Sequence, residues 1–205
     1  MGVSGSGRSL ENLLNTQENP QYSPFFRIVG VVASRHDCRG SEIARTKGLP
    51  LLVCDFSDST SKALKDQIQA FLQTCTATVV ALAGFLKKFP DLPGWDRRVL
   101  NIHPALLPKY GGPGMYGNRV HQAVLQHGEQ ESGATIHYVT SNYDEGPILA
   151  QIKTVVTNDD TAETLANRVF QAECQLYPEA LAALAQGLIP TPTETTLQIK
   201  SGAKS

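Results

Sequence analysis

Three polar clusters carry the residue types that acyl or phosphate chemistry needs. One is Asn101-Ile102-His103-Pro104. Residues two apart on a strand project to one face, so an amide donor and an imidazole would sit side by side there. Such a pair can stabilise charge growing on a carbonyl oxygen and pass on a proton, which is what acyl transfer requires. Two hydrogen-bonded residues at a strand end would look the same. A second cluster lies far along the chain, in Asn142-Tyr143-Asp144-Glu145-Gly146-Pro147, where the acid, glycine and proline mark a turn. If Asp144 folds against His103, its charge favours the imidazolium and raises that pKa, leaving a histidine able to donate a proton near neutral pH. A solvated loop carboxylate is the alternative. The third cluster is Ser4-Gly5-Ser6-Gly7-Arg8-Ser9, followed by Leu10, Leu13 and Leu14 at helical spacing. Small residues let the backbone approach a ligand, and a helix start offers unpaired N–H groups and the positive dipole end. Together they make a seat for a phosphate-sized anion, or a tight turn after a strand.

Other chemistries find less support. A carboxylate, one His and one Asn make a poor metal-ligand set, so no metal is expected. His121, His127 and His137 lack metal spacing and read as surface or supporting residues; His36 reads as inert. Cys38, Cys54, Cys75 and Cys174 are scattered, with no paired spacing for zinc or a redox couple. The chain has 18 basic and 19 acidic residues among 205, so no general pull toward nucleic acid or an anionic membrane follows. With 41% hydrophobic and 18% charged residues, the composition is that of one globular domain rather than a disordered or coiled-coil chain. No apolar run reaches membrane length and no signal core is evident, so a reduced, cytoplasmic protein is expected.

The elements that must position these clusters alternate in type. Strand-like runs are expected at Phe26 to Ser34, Leu51 to Val53, Ala77 to Ala83 and Val99 to His103, and helical patterns at Ser41 to Lys47 and Ser61 to Gln73. Strands separated by helices imply parallel crossover units, with ligands at the carboxyl ends of the strands where the topology reverses. Ser132 to Val139 and Ile148 to Val156 read as an antiparallel pair joined by the loop that holds Asp144. Asp160, with Thr161-Ala162-Glu163, reads as a capping box opening a long helix toward Gly187, with Pro178 kinking it. The expected fold class is α/β: a doubly wound, mostly parallel central sheet with flanking helices and an antiparallel strand pair in the C-terminal half. Residues 1–189 form the domain, and 190–205, rich in Thr, Pro and Lys, form a weakly structured tail.

Several stretches then carry a resemblance. Asn101 to Tyr110 (NIHPALLPKY), Gly111-Gly112, His121 to Leu125, Ala81 to Phe85 (ALAGF), Gly133 to Val139 with Asp144-Glu145-Gly146-Pro147, and Glu173 with Tyr177-Pro178 make the chain resemble the phosphoribosylglycinamide formyltransferase family of purine synthesis, over roughly Val3 to Gly187. The resemblance implies the formyltransferase fold and transfer of a formyl group from 10-formyltetrahydrofolate, consumed as a cosubstrate, to the amine of phosphoribosylglycinamide. His103 then matches the general acid, Asn101 its oxyanion partner and Asp144 the residue that tunes the histidine. Gly7, Arg8 and Ser9 match the substrate phosphate turn and Glu173 an acceptor of the ribose hydroxyls. Leu86, Lys87, Lys88 and Phe89, with Asn101, match the folate side of the site, largely through backbone groups. No metal, nucleic acid or membrane is implied, and a monomer or weak homodimer is expected. Two departures stand out: the family has a full first strand where Met1 to Ser4 supplies a stub, from a misassigned start or a weakened site, and it often has Asn where Ser9 stands. No clear match exists near Ser61 and Lys62 for a folate-contacting Arg. Formyltetrahydrofolate deformylase and a non-catalytic folate- or phosphate-binding remnant are the alternatives; methionyl-tRNA formyltransferase lacks its usual means of gripping tRNA here.

Overall fold

A computed structural model describes residues 1–188 and 197–199. The chain divides into two compact units, one of Met1–Ser23 with Arg27–Asn101, the other of Pro24–Phe26 with Ile102–Ser205.

In the first unit, strands and helices alternate: β1 (Gly2–Val3), α1 (Arg8–Thr16), β2 (Val31–Ala33), α2 (Arg39–Thr46), β3 (Leu51–Val53), α3 (Lys62–Thr74), β4 (Val80–Ala83) and then β5 (Val99–His103), whose last two residues enter the second unit. β1 pairs in parallel with β2 on one side and β4 on the other, and β2 pairs in parallel with β3. The chain therefore winds outward from β1 through β2 to β3, then returns to the far side of β1 as β4. That reversal makes the fold doubly wound and places a switch point beside β1. All residues of β2 and β4 are buried, as expected of strands covered on both faces. The helices supply the cover: Leu10, Leu13 and Leu14 of α1 and Leu64, Ile68 and Leu72 of α3 are buried at helical spacing.

Strand lengths differ from the sequence reading for a local reason. Phe26 to Ser34 was expected to be extended throughout, but only Val31–Ala33 pairs. The partners β1 and β3 are two and three residues long, and the Ile28 N–H is taken at 2.8 Å by the Gln17 side chain instead of a neighbouring strand. Likewise Ala77 to Ala83 contracts to Val80–Ala83. β3 and β5 match the expected spans.

The second unit contains α4 (Asn118–Gln126), β6 (Glu131–Tyr138), β7 (Ile148–Val155), α5 (Ala162–Ala185) and β8 (Leu197–Ile199). β6 and β7 run antiparallel from Glu131 opposite Val155 to His137 opposite Ile148, with a register irregularity between Ile136 and His137. α5 packs on both strands and α4 packs on α5. The N-cap of α5 is Thr161 rather than Asp160: Thr161 and Thr164 exchange side-chain and backbone hydrogen bonds. Asp160 instead accepts from the Thr164 hydroxyl and the Arg168 guanidinium. Pro178 lies inside α5. β8 pairs in parallel with β7, while the remainder of the expected tail lies outside the described residues. Fold class is thus as expected: α/β, doubly wound and mostly parallel, with flanking helices and an antiparallel pair.

Candidate active site

Two of the expected residues meet in the second unit. His103 closes β5 and Asp144 sits in the loop between β6 and β7, yet the His103 Nδ1 lies 3.5 Å from the Asp144 Oδ2. His103 is buried, with 4% exposure. Its other ring nitrogen, Nε2, is 2.7 Å from the Tyr110 carbonyl oxygen. A carbonyl only accepts, so Nε2 carries a hydrogen. When neutral, the ring then turns its Nδ1 lone pair toward the carboxylate; when protonated, it forms an ion pair there. Contact geometry therefore favours the cation.

Asp144 is held from three directions. Its Oδ2 accepts the Gly112 N–H at 2.9 Å, and its Oδ1 lies 3.4 Å from the His137 Nε2. The His137 Nδ1 is 3.0 Å from the Tyr138 carbonyl, so that nitrogen also carries a hydrogen. Asp144 has φ +58°, a left-handed conformation that Asp tolerates better than most residues. Glycine leaves room on the facing loop: a Cβ at Gly111 would press on the end of the Leu107 side chain and come within 3.1 Å of the Asp144 Cβ. At Gly146 an added Cβ would collide with the Tyr138 carbonyl, so the loop that presents Asp144 closes only with glycine at that position.

The charges pull in opposite directions. Burial pushes the His103 imidazole below its ordinary value, the Asp144 carboxylate and the Tyr110 carbonyl push it back up, and the net direction is down. The net direction is opposite to the rise expected from the Asp144 charge alone. Asp144 acts with the expected sign, but desolvation of a buried ring outweighs it. On Asp144, burial works to raise the pKa, yet the His137 hydrogen bond, the His103 charge and the Gly112 N–H together hold it below its ordinary value. The carboxylate stays ionised beside two imidazole rings.

Thr135 fixes the segment that leaves β5. Its hydroxyl donates to the Ala105 carbonyl at 2.6 Å and accepts the Leu107 N–H at 3.0 Å and a Gln151 amide N–H at 2.9 Å. Gln151 also donates to the Leu107 carbonyl at 3.0 Å. One hydroxyl thus uses its single donor and both acceptors just beyond His103. Thr135 and His137 were not assigned these roles from sequence. Their signal was visible: two polar residues at alternate positions, each flanked by apolar ones, share one face of the strand. His121, expected at the surface or in support, is buried on α4 with its Nδ1 unpartnered among the described residues. Burial, then the like charge of His103, lowers its pKa to about 4.

The other expected residues occupy these places. Asn101 lies two residues before His103 on β5, partly exposed. Glu173 lies on α5, also partly exposed. Gly7 is the N-cap of α1 at φ +67°, Arg8 opens the helix and Ser9 follows. A Cβ at Gly7 would come within 2.9 Å of the Gly40 Cα, so this turn is glycine-specific on both conformational and steric grounds. In the Leu86 to Phe89 segment, the Phe89 ring is buried against Phe56 and Phe85, whereas Leu86 is 56% exposed. Only backbone and outward-pointing side chains of this segment are open to a ligand. Among the described residues no group of three or more His, Cys, Asp or Glu could hold a metal ion, and no helix is long and apolar enough to cross a membrane.

Comparisons with known proteins converge. The formyl transferase family profile matches residues 1–181. A chloroplastic phosphoribosylglycinamide formyltransferase of Arabidopsis thaliana is 42% identical over 166 residues, 78% of this chain and 56% of that protein. The chain spans less than two thirds of the length of the curated relatives it matches. Among solved structures, phosphoribosylglycinamide formyltransferase from Brucella melitensis is 37% identical with TM-score 0.76, covering 90% of this chain and 93% of that one. The enzyme of the same name from Anaplasma phagocytophilum is 29% identical with TM-score 0.81, covering 98% and 97%.

Proposed function

The chain belongs to the formyl transferase family, and on that premise we propose that it moves the formyl group of 10-formyltetrahydrofolate to the amine of phosphoribosylglycinamide. The observation that carries the reading is the contact of the buried His103 imidazole with the Asp144 carboxylate at 3.5 Å, which sets a proton donor beside a charge that favours its protonated form. In this reading the amine attacks the formyl carbon, a C–N bond forms, and the formyl oxygen takes up negative charge. Asn101 and the His103 Nδ1–H stabilise that oxyanion. The Tyr110 carbonyl grips Nε2 at 2.7 Å, so the transferable proton is the one on Nδ1, whose contact is the looser. It passes to the folate nitrogen as the bond from that nitrogen to the formyl carbon breaks, and Asp144 receives, through water, the proton released by the amine. The chemistry has a net proton balance of zero and calls for no metal.

The binding assignments follow the same premise. The turn of Gly7, Arg8 and Ser9 takes the substrate phosphate at the start of α1, where the helix dipole is positive. Glu173 accepts the ribose hydroxyls, and Leu86 to Phe89 hold the folate edge through backbone groups. Free cysteines at 38, 54, 75 and 174 suit a reducing compartment such as the cytoplasm, and the partners are small molecules.

The test is to follow the absorbance of the folate product with purified protein, both substrates and a chelator. Turnover that depends on phosphoribosylglycinamide supports the proposal. Formate release without the amine would select hydrolysis of the formyl folate, and binding of both ligands without turnover would select a non-catalytic protein.

A further inference from the structure

Ser4 stands where three loops leave the first unit's strands. β1 lies between β2 and β4, so the residue that follows it faces the residues leaving both neighbours. Its hydroxyl oxygen accepts the Ser34 O–H at 2.7 Å, from the end of β2, and the Leu86 N–H at 3.2 Å, from the loop after β4. Ser4 itself is buried. The backbone on either side is tied as well: the Ser34 N–H donates to the Val3 carbonyl at 3.2 Å and the Gly40 N–H to the Gly5 carbonyl at 3.3 Å. Leu86 combines an anchored N–H with an outward side chain, and the Phe85 and Phe89 rings flanking it pack on each other and on Phe56. The segment is rigid at both ends and joined to Ser4 in the middle, while the next residue after Ser4 begins the glycine turn.

We infer that Ser4 is a positioning residue that couples the anion turn at Gly5 to Ser9 with the segment Leu86 to Phe89, so that filling one site tightens the other. The inference rests on the proposed function for what each segment binds. An anion drawn onto the turn fixes the backbone at Ser4, and the hydroxyl carries that constraint to the Leu86 peptide. Linkage makes the effect equal in both directions. One hydrogen bond between neutral groups sets its ceiling at about tenfold.

Tetrahydrofolate, which has no formyl group to transfer, is titrated into the full chain with and without saturating phosphoribosylglycinamide. In the wild type it binds about three- to tenfold more tightly in the presence of the nucleotide. In Ser4→Ala that ratio falls to one, while each ligand alone still binds. Ser4→Cys keeps the volume but offers a poor acceptor, and gives the same loss; Ser4→Thr restores the ratio. Ser34→Ala, which leaves the Leu86 bond in place, keeps it. If Ser4→Ala does not fold, the Cys and Thr variants decide the matter. In the wild type alone, the Leu86 amide resonance moves when inorganic phosphate is added. A ratio of one in the wild type, or an unchanged ratio in Ser4→Ala or Ser4→Cys, overturns the inference and leaves the functional reading intact. A wild-type chain that binds neither ligand overturns the functional reading itself.

Discussion

Asp144→Asn separates charge from geometry at the candidate acid. The amide oxygen can take the Oδ2 position, still accepting the Gly112 N–H, and the amide nitrogen the Oδ1 position that faces the His137 Nε2. The side chain keeps its shape while the negative charge goes. A carboxylate within 4 Å of a cation shifts its pKa by about 1–3 units, so His103, already lowered by burial, falls further by that amount. Above the pKa the imidazolium fraction drops tenfold per unit, so kcat/KM near pH 7.5 falls by about 10- to 1000-fold. The limb of the pH–rate profile that reports loss of the protonated histidine moves to lower pH by the same number of units. Stopped-flow or steady-state folate absorbance over pH 5.5 to 9 reads the rates, and NMR of ring-labelled histidine reads the titration directly. A variant whose kcat/KM stays within about twofold of wild type, with an unmoved limb, refutes the argument that Asp144 raises the His103 pKa against burial.

Two further outcomes test the neighbourhood. His121 holds its pKa near 4 in the folded protein and near 6.5 when unfolded. The unfolded state therefore binds more protons between those values. The stability is fully present above about pH 6.5 and is lost as the pH falls toward 4, by about 2 kcal/mol at pH 5. His121→Leu removes that slope, and urea midpoints at pH 7.5 and 5 for both proteins measure it; equal slopes would show that His121 does not titrate as described. Thr135→Val keeps the shape but leaves the Ala105 carbonyl and the Leu107 N–H without their partner, at a cost of about 3 kcal/mol. Denaturant unfolding reads the loss, and a change under 1 kcal/mol would mean that those groups find other partners.

Much of the architecture could be read in the sequence because parallel strands buried on both faces are short apolar runs between turn residues. Val99 to His103 and Leu51 to Val53 were visible to the residue, since polar residues or proline bound them closely. Strand ends failed where pairing, not propensity, sets the limit: Phe26 to Val29 is apolar enough to extend, but the registers with β1 and β3 begin only at Val32 and Val31. α4 was not foreseen as a helix. Its buried face is only Val120, His121 and Val124, and a histidine at the centre of that stripe hides the 3.6-residue period.

At the site, the sequence supplied the pair but not the balance between them. Asn101 and His103 stand out by residue type and spacing, but the pairing of Asp144 with His103 rests on the family resemblance, and their contact is a feature of the fold. The sign of the net shift on His103 could not be read there, because it depends on how deeply the ring is buried, a property of Tyr110, Thr135 and the loops they hold. The same loops explain why burial does not disable the acid. The Tyr110 carbonyl fixes one nitrogen and Asp144 faces the other, so the ring holds its proton only through a directed charge, and loses it readily once that charge is shared. A histidine with an unopposed carboxylate would bind its proton too firmly to give it up at neutral pH; one with burial alone would not bind it. The opposed pair, lowered by desolvation and raised by the carboxylate, brings the acid between those limits.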